Sequence, residues 1–496
     1  MQTESLSSRE ALSPRYAKKR WNDFLSQDKN GVLHVEGVSV EQLARKYGTP
    51  HFLLIEREIR ERLRNFKQAF PYPKLRPQFA CKVNSNLEII RLAKEEGFEL
   101  DASSVGEIIL GLLADYKPSQ ITFTNLYKSY QDIAFAAMIG VQAITADSME
   151  ELEKIAFVGE KLGLKINLFL RLNPLIDLGN YTTRYQQYGI PYPEAKKAVD
   201  YAMKHRHLEL TGFHFHGSYI TNPNVYILAA QKMLKMVRYA TDKGAKIKYL
   251  DLGGGFPVND DSHPQYGKSY DLEQGGKKIV EAVQRLLKKY NLPEPYLIFE
   301  PGKYIVGNAQ LALMKVVAKK SMGKNDILIT NGSVYNLVAD KFISNARYPL
   351  LPANKMKQPR TEKYRVTGCT CDCIDVFSKN EKMPVLQKDD FIMIMDCGAY
   401  SEVFASNFNS LKRAPIVLVS PDGTTKLVRR RDRYAEMFAP QLDALKMADP
   451  NELKFFYNLH RINIEKIWND KPELEKLKKP IKAILQSLQK TATFKA

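Results

Sequence analysis

Phe79-Ala80-Cys81-Lys82-Val83-Asn84-Ser85-Asn86-Leu87-Glu88-Ile89-Ile90-Arg91-Leu92-Ala93-Lys94-Glu95-Glu96 contains one complete structural unit. Phe79–Val83 is a short, mostly apolar run of strand length, and Asn86–Glu96 then repeats apolar residues every three or four positions, as one face of a helix does. Seven more strand-like runs follow: Glu99–Ala102, Ile121–Thr124, Ala143–Thr145, Ile166–Leu172, Leu210–Phe215, Tyr249–Leu252 and Leu297–Phe299. Amphipathic stretches such as Val105–Ala114 and Met149–Leu162 lie between them. Eight βα repeats predict a (β/α)8 barrel, with a doubly wound parallel sheet as the alternative.

Outside the repeats the texture changes. After Tyr304 come β-rich runs, Ala309–Val317, Asp326–Thr330, Tyr364–Thr367, Phe391–Asp396 and Pro415–Ser420, with few helical stretches, so a second, mostly β domain is expected. Gly31–Val38 reads as a strand and Val40–Tyr47 as a helix, a segment expected to join that domain across the chain. The expected organisation is an N-terminal extension at 1–30, the joining segment at 31–50, a barrel at 51–305, a β domain at 306–435 and a basic tail at 436–496 with helical periodicity over Leu474–Leu488.

At 496 residues and 44% hydrophobic composition, the chain has enough length and apolar content for two domains with a real core. No stretch approaches the roughly 18 uninterrupted apolar residues of a spanning helix, and Met1–Asn30 has no apolar core like that of a signal peptide, which predicts a soluble, cytoplasmic protein. The net charge of +19 is scattered rather than clustered, the pattern of a solvated basic surface and not of a nucleic-acid or membrane interface. Three of the five cysteines fall in Cys369-Thr370-Cys371-Asp372-Cys373 with no second Cys pair or spaced His pair, so no metal site is expected.

Polar residues at the ends of barrel strands carry the chemical information, because catalytic groups of such barrels gather where strands give way to loops. The ends read Lys82-Val83-Asn84, Asp101, Asn125, Arg171-Leu172-Asn173, His214-Phe215-His216-Gly217-Ser218, Gly253-Gly254-Gly255 and Glu300-Pro301-Gly302-Lys303. Singly, each has an ordinary explanation: a strand-edge lysine snorkels, a triple glycine turns, a histidine fills a core. Together they describe a site. Glycine backbone and the charge of Lys303 or Arg171 suit a phosphate, a desolvated Lys82 amine suits an aldehyde, and Glu300 suits a pyridine nitrogen. Those three groups belong to pyridoxal 5'-phosphate.

The same residues resemble the diaminopimelate decarboxylase family and the related eukaryotic-type ornithine decarboxylases, which pair an alanine-racemase-like barrel with a C-terminal β domain. The resemblance rests on Phe79–Asn84, Asp101-Ala102-Ser103-Ser104-Val105-Gly106-Glu107, the triple glycine, Glu300–Lys303, Gly368–Asp375 and Gly398-Ala399-Tyr400 with Ser406-Asn407-Phe408-Asn409, and spans about Gly31 to Asp432. It implies that Lys82 forms the imine with the cofactor, Glu300 contacts the pyridinium and His216 stacks on the ring. Ser218, Gly253, Gly254, Gly255 and Tyr400 would hold the phosphate, with Asp101 and Arg171 in support and Gly302 and Lys303 as further cofactor-site residues, Lys303 meeting either phosphate or substrate. Cys371 would be the proton-returning cysteine that a neighbouring subunit inserts, which implies a homodimer with shared active sites.

Three positions depart from that family. Lysine stands at 303 where arginine is expected, losing the bidentate fork. His216-Gly217-Ser218 lacks a spacer residue, so either His214 or His216 could stack, with His216 favoured. Asp372 replaces glutamate and would pair with the distal ammonium of the substrate; Arg347-Tyr348-Pro349 is a loose stand-in for the substrate-binding arginine element, with Lys303 and Tyr400 as further substrate contacts. The expected activity is decarboxylation of diaminopimelate to lysine. Alternatives are lysine, ornithine or a larger siderophore-type or secondary-metabolite amino acid as substrate, an amino-acid racemase, or a non-catalytic regulator on the same fold.

Overall fold

The computed structural model describes residues 4–5, 23–258, 270–322 and 325–445. Residues up to Arg430 form one compact unit and those from Arg431 another. In the second, helix Tyr434–Leu445 is described, and the periodic stretch 474–488 lies outside the described residues.

Eight strands build the barrel: β1 Gln78–Ala80, β2 Glu99–Ala102, β3 Ile121–Phe123, β4 Ala143–Ala146, β5 Ile166–Asn173, β6 Leu208–His214, β7 Tyr249–Asp251 and β8 Tyr296–Ile298. Each pairs in parallel with the next. The ring closes through backbone bonds between the first and last strands, Gln78 N to Phe299 O at 2.8 Å and Leu297 N to Lys74 O at 3.0 Å. A barrel strand packs side chains inward and under the outer helices alike, so its residues must be apolar almost continuously. β5 shows this, with only Asn167 exposed.

The loops end where the sequence offers a helix cap. Asn86, Ser104, Ser129 and Ser148 each accept a hydrogen bond from a backbone N–H in the first turn of the helix that follows. Strand-end register then fixes the site. Arg171, His214 and Asp251 are Cα partners across β5, β6 and β7, and Ala80 pairs with Asp101 across β1 and β2. Their C-terminal neighbours therefore emerge at one mouth.

The second sheet is built around the long strand Gln310–Met322, which pairs antiparallel with Asn325–Thr330, with Phe391–Ile394 and with His51–Ile55. Ile416–Val419 runs parallel to His51–Ile55. This corrects the start of the barrel expected at residue 51: all five residues of His51–Ile55 are buried in the second sheet, and helix Glu56–Ala69 leads from there into the barrel. Leu25–Gln27, Leu33–Val35 and Val38–Ser39 form a small antiparallel sheet whose Leu33 N bonds to Ala353 O. Leu25, Leu33, Val35, Leu53, Ile55, Leu313, Met393 and Val417 share one apolar cluster.

Candidate active site

Lys82 lies two residues beyond β1, in a 3-10 turn over Cys81–Val83 that ends the strand. Its Nζ is 3.3 Å from Asp101 Oδ2 on β2. Burial by itself would lower the ammonium pKa, yet the Asp101 and Glu300 carboxylates reverse the effect and hold it above the ordinary lysine value. Asp101 answers in kind: burial first, then the Glu300 charge, raises it to about 7 against the pull of Lys82.

Glu300, two residues beyond β8, is fully enclosed. His214 Nε2 lies 2.9 Å from its Oε1, and His216 Nδ1 lies 3.5 Å from its Oε2. Burial opposes ionisation, but the His214 and His216 contacts together with Lys82 hold Glu300 well below the usual carboxylate range. A carboxylate can only accept, so His214 carries its proton on Nε2 in that contact. His216 is pushed down to about 4, chiefly by burial, and is a neutral, flat ring at working pH.

These groups surround a cavity of about 300 Å³, whose wall includes Lys82, His216, Ser218, Glu300, Lys303 and Tyr400. Tyr188, Tyr219, Gly255 and Gly302 also line it. His216, not His214, faces the space; His214 sits beneath, completely buried behind Glu300. Tyr400 comes from the second sheet's side of the fold, pinned by its N–H to Val83 O at 2.9 Å and by Asn84 Nδ2 to Gly398 O at 2.9 Å. It adopts φ of 59°.

The triple glycine is dictated by crowding. A Cβ on Gly254 would stand 2.4 Å from Glu300 O, and one on Gly253 would meet Phe215 O at 2.2 Å, so only glycine lets the three loops close on each other. Gly302 is packed the same way against Val83 Cγ2 at 2.4 Å.

Seven expected residues lie elsewhere than on this wall: Asp101, Gly253 and Gly254, which back it, and Arg171, Cys371, Asp372 and Arg347. Arg171 is buried behind it, paired with Asp147 Oδ1 at 2.8 Å, and its guanidinium lies 4.7 Å from the Tyr188 ring. Cys371 and Asp372 sit on the loop after strand Glu362–Thr367, with Cys371 exposed and its Sγ 3.4 Å from Asn409 Nδ2. Asp372 accepts from the Tyr335 hydroxyl and from Ile374 N. Arg347 is exposed. Sequence reasoning missed Tyr188, Tyr219, Asp251 and Tyr335. Asp251 had a legible signal as the polar last residue of β7; the tyrosines had none, since loops far apart in sequence bring them in.

The cavity suits pyridoxal phosphate on its own terms. A lysine amine enters it, an ionised and buried Glu300 keeps Oε2 without a hydrogen-bond donor, and Ser218, Lys303 and Tyr400 supply polar groups elsewhere on the wall. The comparisons agree. Residues 56–307 match the family model described as pyridoxal-dependent decarboxylase, pyridoxal binding domain. The diaminopimelate decarboxylase of Methanothermobacter thermautotrophicus is 30% identical over 422 residues, covering 83% of this chain and 96% of that protein. Among solved structures, Helicobacter pylori diaminopimelate decarboxylase complexed with L-lysine superposes with a TM-score of 0.72 at 25% identity, covering 82% of this chain and 99% of that one. The lysine/ornithine decarboxylase of Vibrio vulnificus complexed with putrescine gives 0.66 at 25% identity, covering 76% and 96%.

Fold and site thus define a pyridoxal-phosphate enzyme with an alanine-racemase-like barrel and a β domain. More narrowly, the chain belongs to the pyridoxal-dependent decarboxylase family and is a carboxy-lyase.

Proposed function

We propose that this chain decarboxylates diaminopimelate to lysine, with Lys82 as the residue that binds the cofactor aldehyde. The observation that carries the reading is the Lys82 amine entering a cavity backed by Glu300 and walled by His216, in a chain that matches diaminopimelate decarboxylases over nearly their whole length. When bound, pyridoxal phosphate supplies a sink for the electron pair left as the carboxylate departs.

The chain's own residues divide the remaining work. Lys82 would hold the cofactor aldehyde, and Asp101 Oδ2, 3.3 Å from its Nζ, would hold the lysine as an ammonium whenever the amine is free. Glu300 stays ionised through His214 and the Lys82 charge, and so offers a fixed negative charge where a pyridine nitrogen would carry its proton. His216 offers a neutral flat face, and Ser218, Lys303 and Tyr400 hold the anionic end. Arg171 keeps Tyr188 in place rather than touching the ligand itself.

Cys371 returns a proton to the α-carbon from a neighbouring subunit, in a cytoplasmic homodimer whose sites are shared. The exposure of its thiol within one chain, away from the Lys82 cavity, supports that reading. Mixing Lys82→Ala with Cys371→Ala tests it: two inactive homodimers should regain activity on exchanging subunits, and silence after proven exchange would sink the shared site.

A second substrate, lysine or ornithine, is favoured by Asp372, one methylene shorter than the family glutamate and already oriented by Tyr335. The deciding experiment is CO2 release with product identification on diaminopimelate, both enantiomers of lysine and ornithine, and arginine. Diaminopimelate should give lysine at the highest kcat/KM. Preference for ornithine would replace the first reading with the second, and turnover of none would point to a larger amino acid.

A further inference from the structure

Glu300 has a partner that the mechanism above does not use. Asp251, the last residue of β7, is completely buried, and its Oδ1 accepts the Gly253 N–H at 2.9 Å. Its Oδ2 and the Oε2 of Glu300 are both buried, and neither has a hydrogen-bond donor assigned to it. The two carboxyl groups are nevertheless close neighbours: one ligand atom each from His214, Asp251 and Glu300 lies within 4.8 Å of the others. Two ionised carboxylates that close in a dry site repel each other strongly; one proton between them turns the repulsion into a hydrogen bond.

Which of the two keeps the proton follows from their neighbours. Glu300 is met by His214, His216 and the Lys82 charge, all of which favour its ionised form. Asp251 has only the Gly253 N–H in its favour. Burial first, then the Glu300 charge and the more distant Asp101, drive its pKa far above the ordinary value. Arg171, whose charge also reaches His214 and His216, is committed to Asp147.

We propose that Asp251 is a positioning residue for the cofactor: it stays protonated and donates to Glu300 Oε2, so that Glu300 alone presents a full negative charge to the pyridine nitrogen. The inference rests on the cofactor reading, with Glu300 at the ring nitrogen, and concerns a residue that touches Glu300 and not the ligand. Its physical content is a division of labour among three carboxyls crowded around one ammonium. Asp101 pairs with Lys82, Glu300 serves the ring, and Asp251 supplies a hydrogen bond without adding charge.

The test measures the dissociation constant for pyridoxal phosphate on apo protein, by cofactor absorbance, from about pH 8 down to about pH 3, with circular dichroism confirming a native fold at each point. Wild-type affinity should fall on the acid side where Glu300 takes up a proton. Asp251→Ala removes the donor, makes Glu300 more basic and should move that acid limb up by about one pH unit, with binding near neutrality weakened about tenfold. Asp251→Asn keeps both the acceptor for Gly253 and a donor for Glu300, and should restore the wild-type limb. A merely structural role in holding Gly253 would weaken binding equally at every pH. An acid limb unmoved in Asp251→Ala therefore overturns the proposal, and so does an Asn variant as impaired as Ala, which would mean that an ionised aspartate is required. Absence of any cofactor band in the wild-type protein would instead overturn the cofactor reading, and this inference with it.

Discussion

Lys82 Nζ sits 3.3 Å from Asp101 Oδ2, a cation and a carboxylate from adjacent barrel strands, at the mouth of a cavity that Glu300 and Lys303 also line. Each group perturbs the other's proton affinity, and the pair makes the lysine a bound ammonium until a ligand separates them.

The Asp101 pKa has a consequence for stability. The folded carboxyl, raised from 3.8 to about 7, holds a proton that the unfolded chain has already released in that interval. Its contribution is therefore greatest below the unfolded value and is lost as the pH rises to 7. Asp101→Asn cannot lose that proton, so its melting temperature relative to wild-type apo protein should climb between pH 4 and 7, by at least about 2 °C. A difference that is flat with pH would show that Asp101 titrates normally.

Removing the amine itself should abolish cofactor chemistry. Lys82→Ala is expected to lose the visible cofactor band and at least about 10³-fold in kcat/KM, while circular dichroism stays native because the side chain is one-third exposed. A variant that keeps the band would place the imine on another lysine.

Gly254 is a steric test of the loop. Because a Cβ there would meet Glu300 O at 2.4 Å, Gly254→Ala must push the β7 and β8 loops apart. We expect a loss of about 1–3 kcal/mol in stability by denaturant melts, with weaker cofactor binding. An unchanged midpoint would mean that the loops yield freely.

Tyr335 orients Asp372 through its hydroxyl, and stacks on Phe408 with ring centroids 4.3 Å apart. Tyr335→Phe keeps the stack and removes the hydrogen bond. If Asp372 meets the far end of the substrate, KM should rise severalfold with the cofactor band intact, and Asp372→Asn should raise it about tenfold through loss of a charge-assisted contact. Equal KM values in all three proteins would remove Asp372 from substrate recognition.

By itself the sequence determined the barrel, because eight apolar runs separated by helical periodicity leave few other arrangements, and it marked Lys82, Glu300 and the triple glycine as polar or flexible interruptions at strand ends. Those are local properties, written in residues a few positions apart. Tertiary structure decided what pairing across strands decides. It put His51–Ile55 into the second sheet, since an apolar pentapeptide fits either core and only its neighbours choose. It turned His216 to the cavity and His214 beneath it. It set Arg171 behind Tyr188 and brought Asp251 against Glu300, 49 residues apart in sequence and in contact because β7 and β8 pair in register. Periodicity specifies which face of an element is buried; the identity of the group across from it is a property of the closed barrel alone.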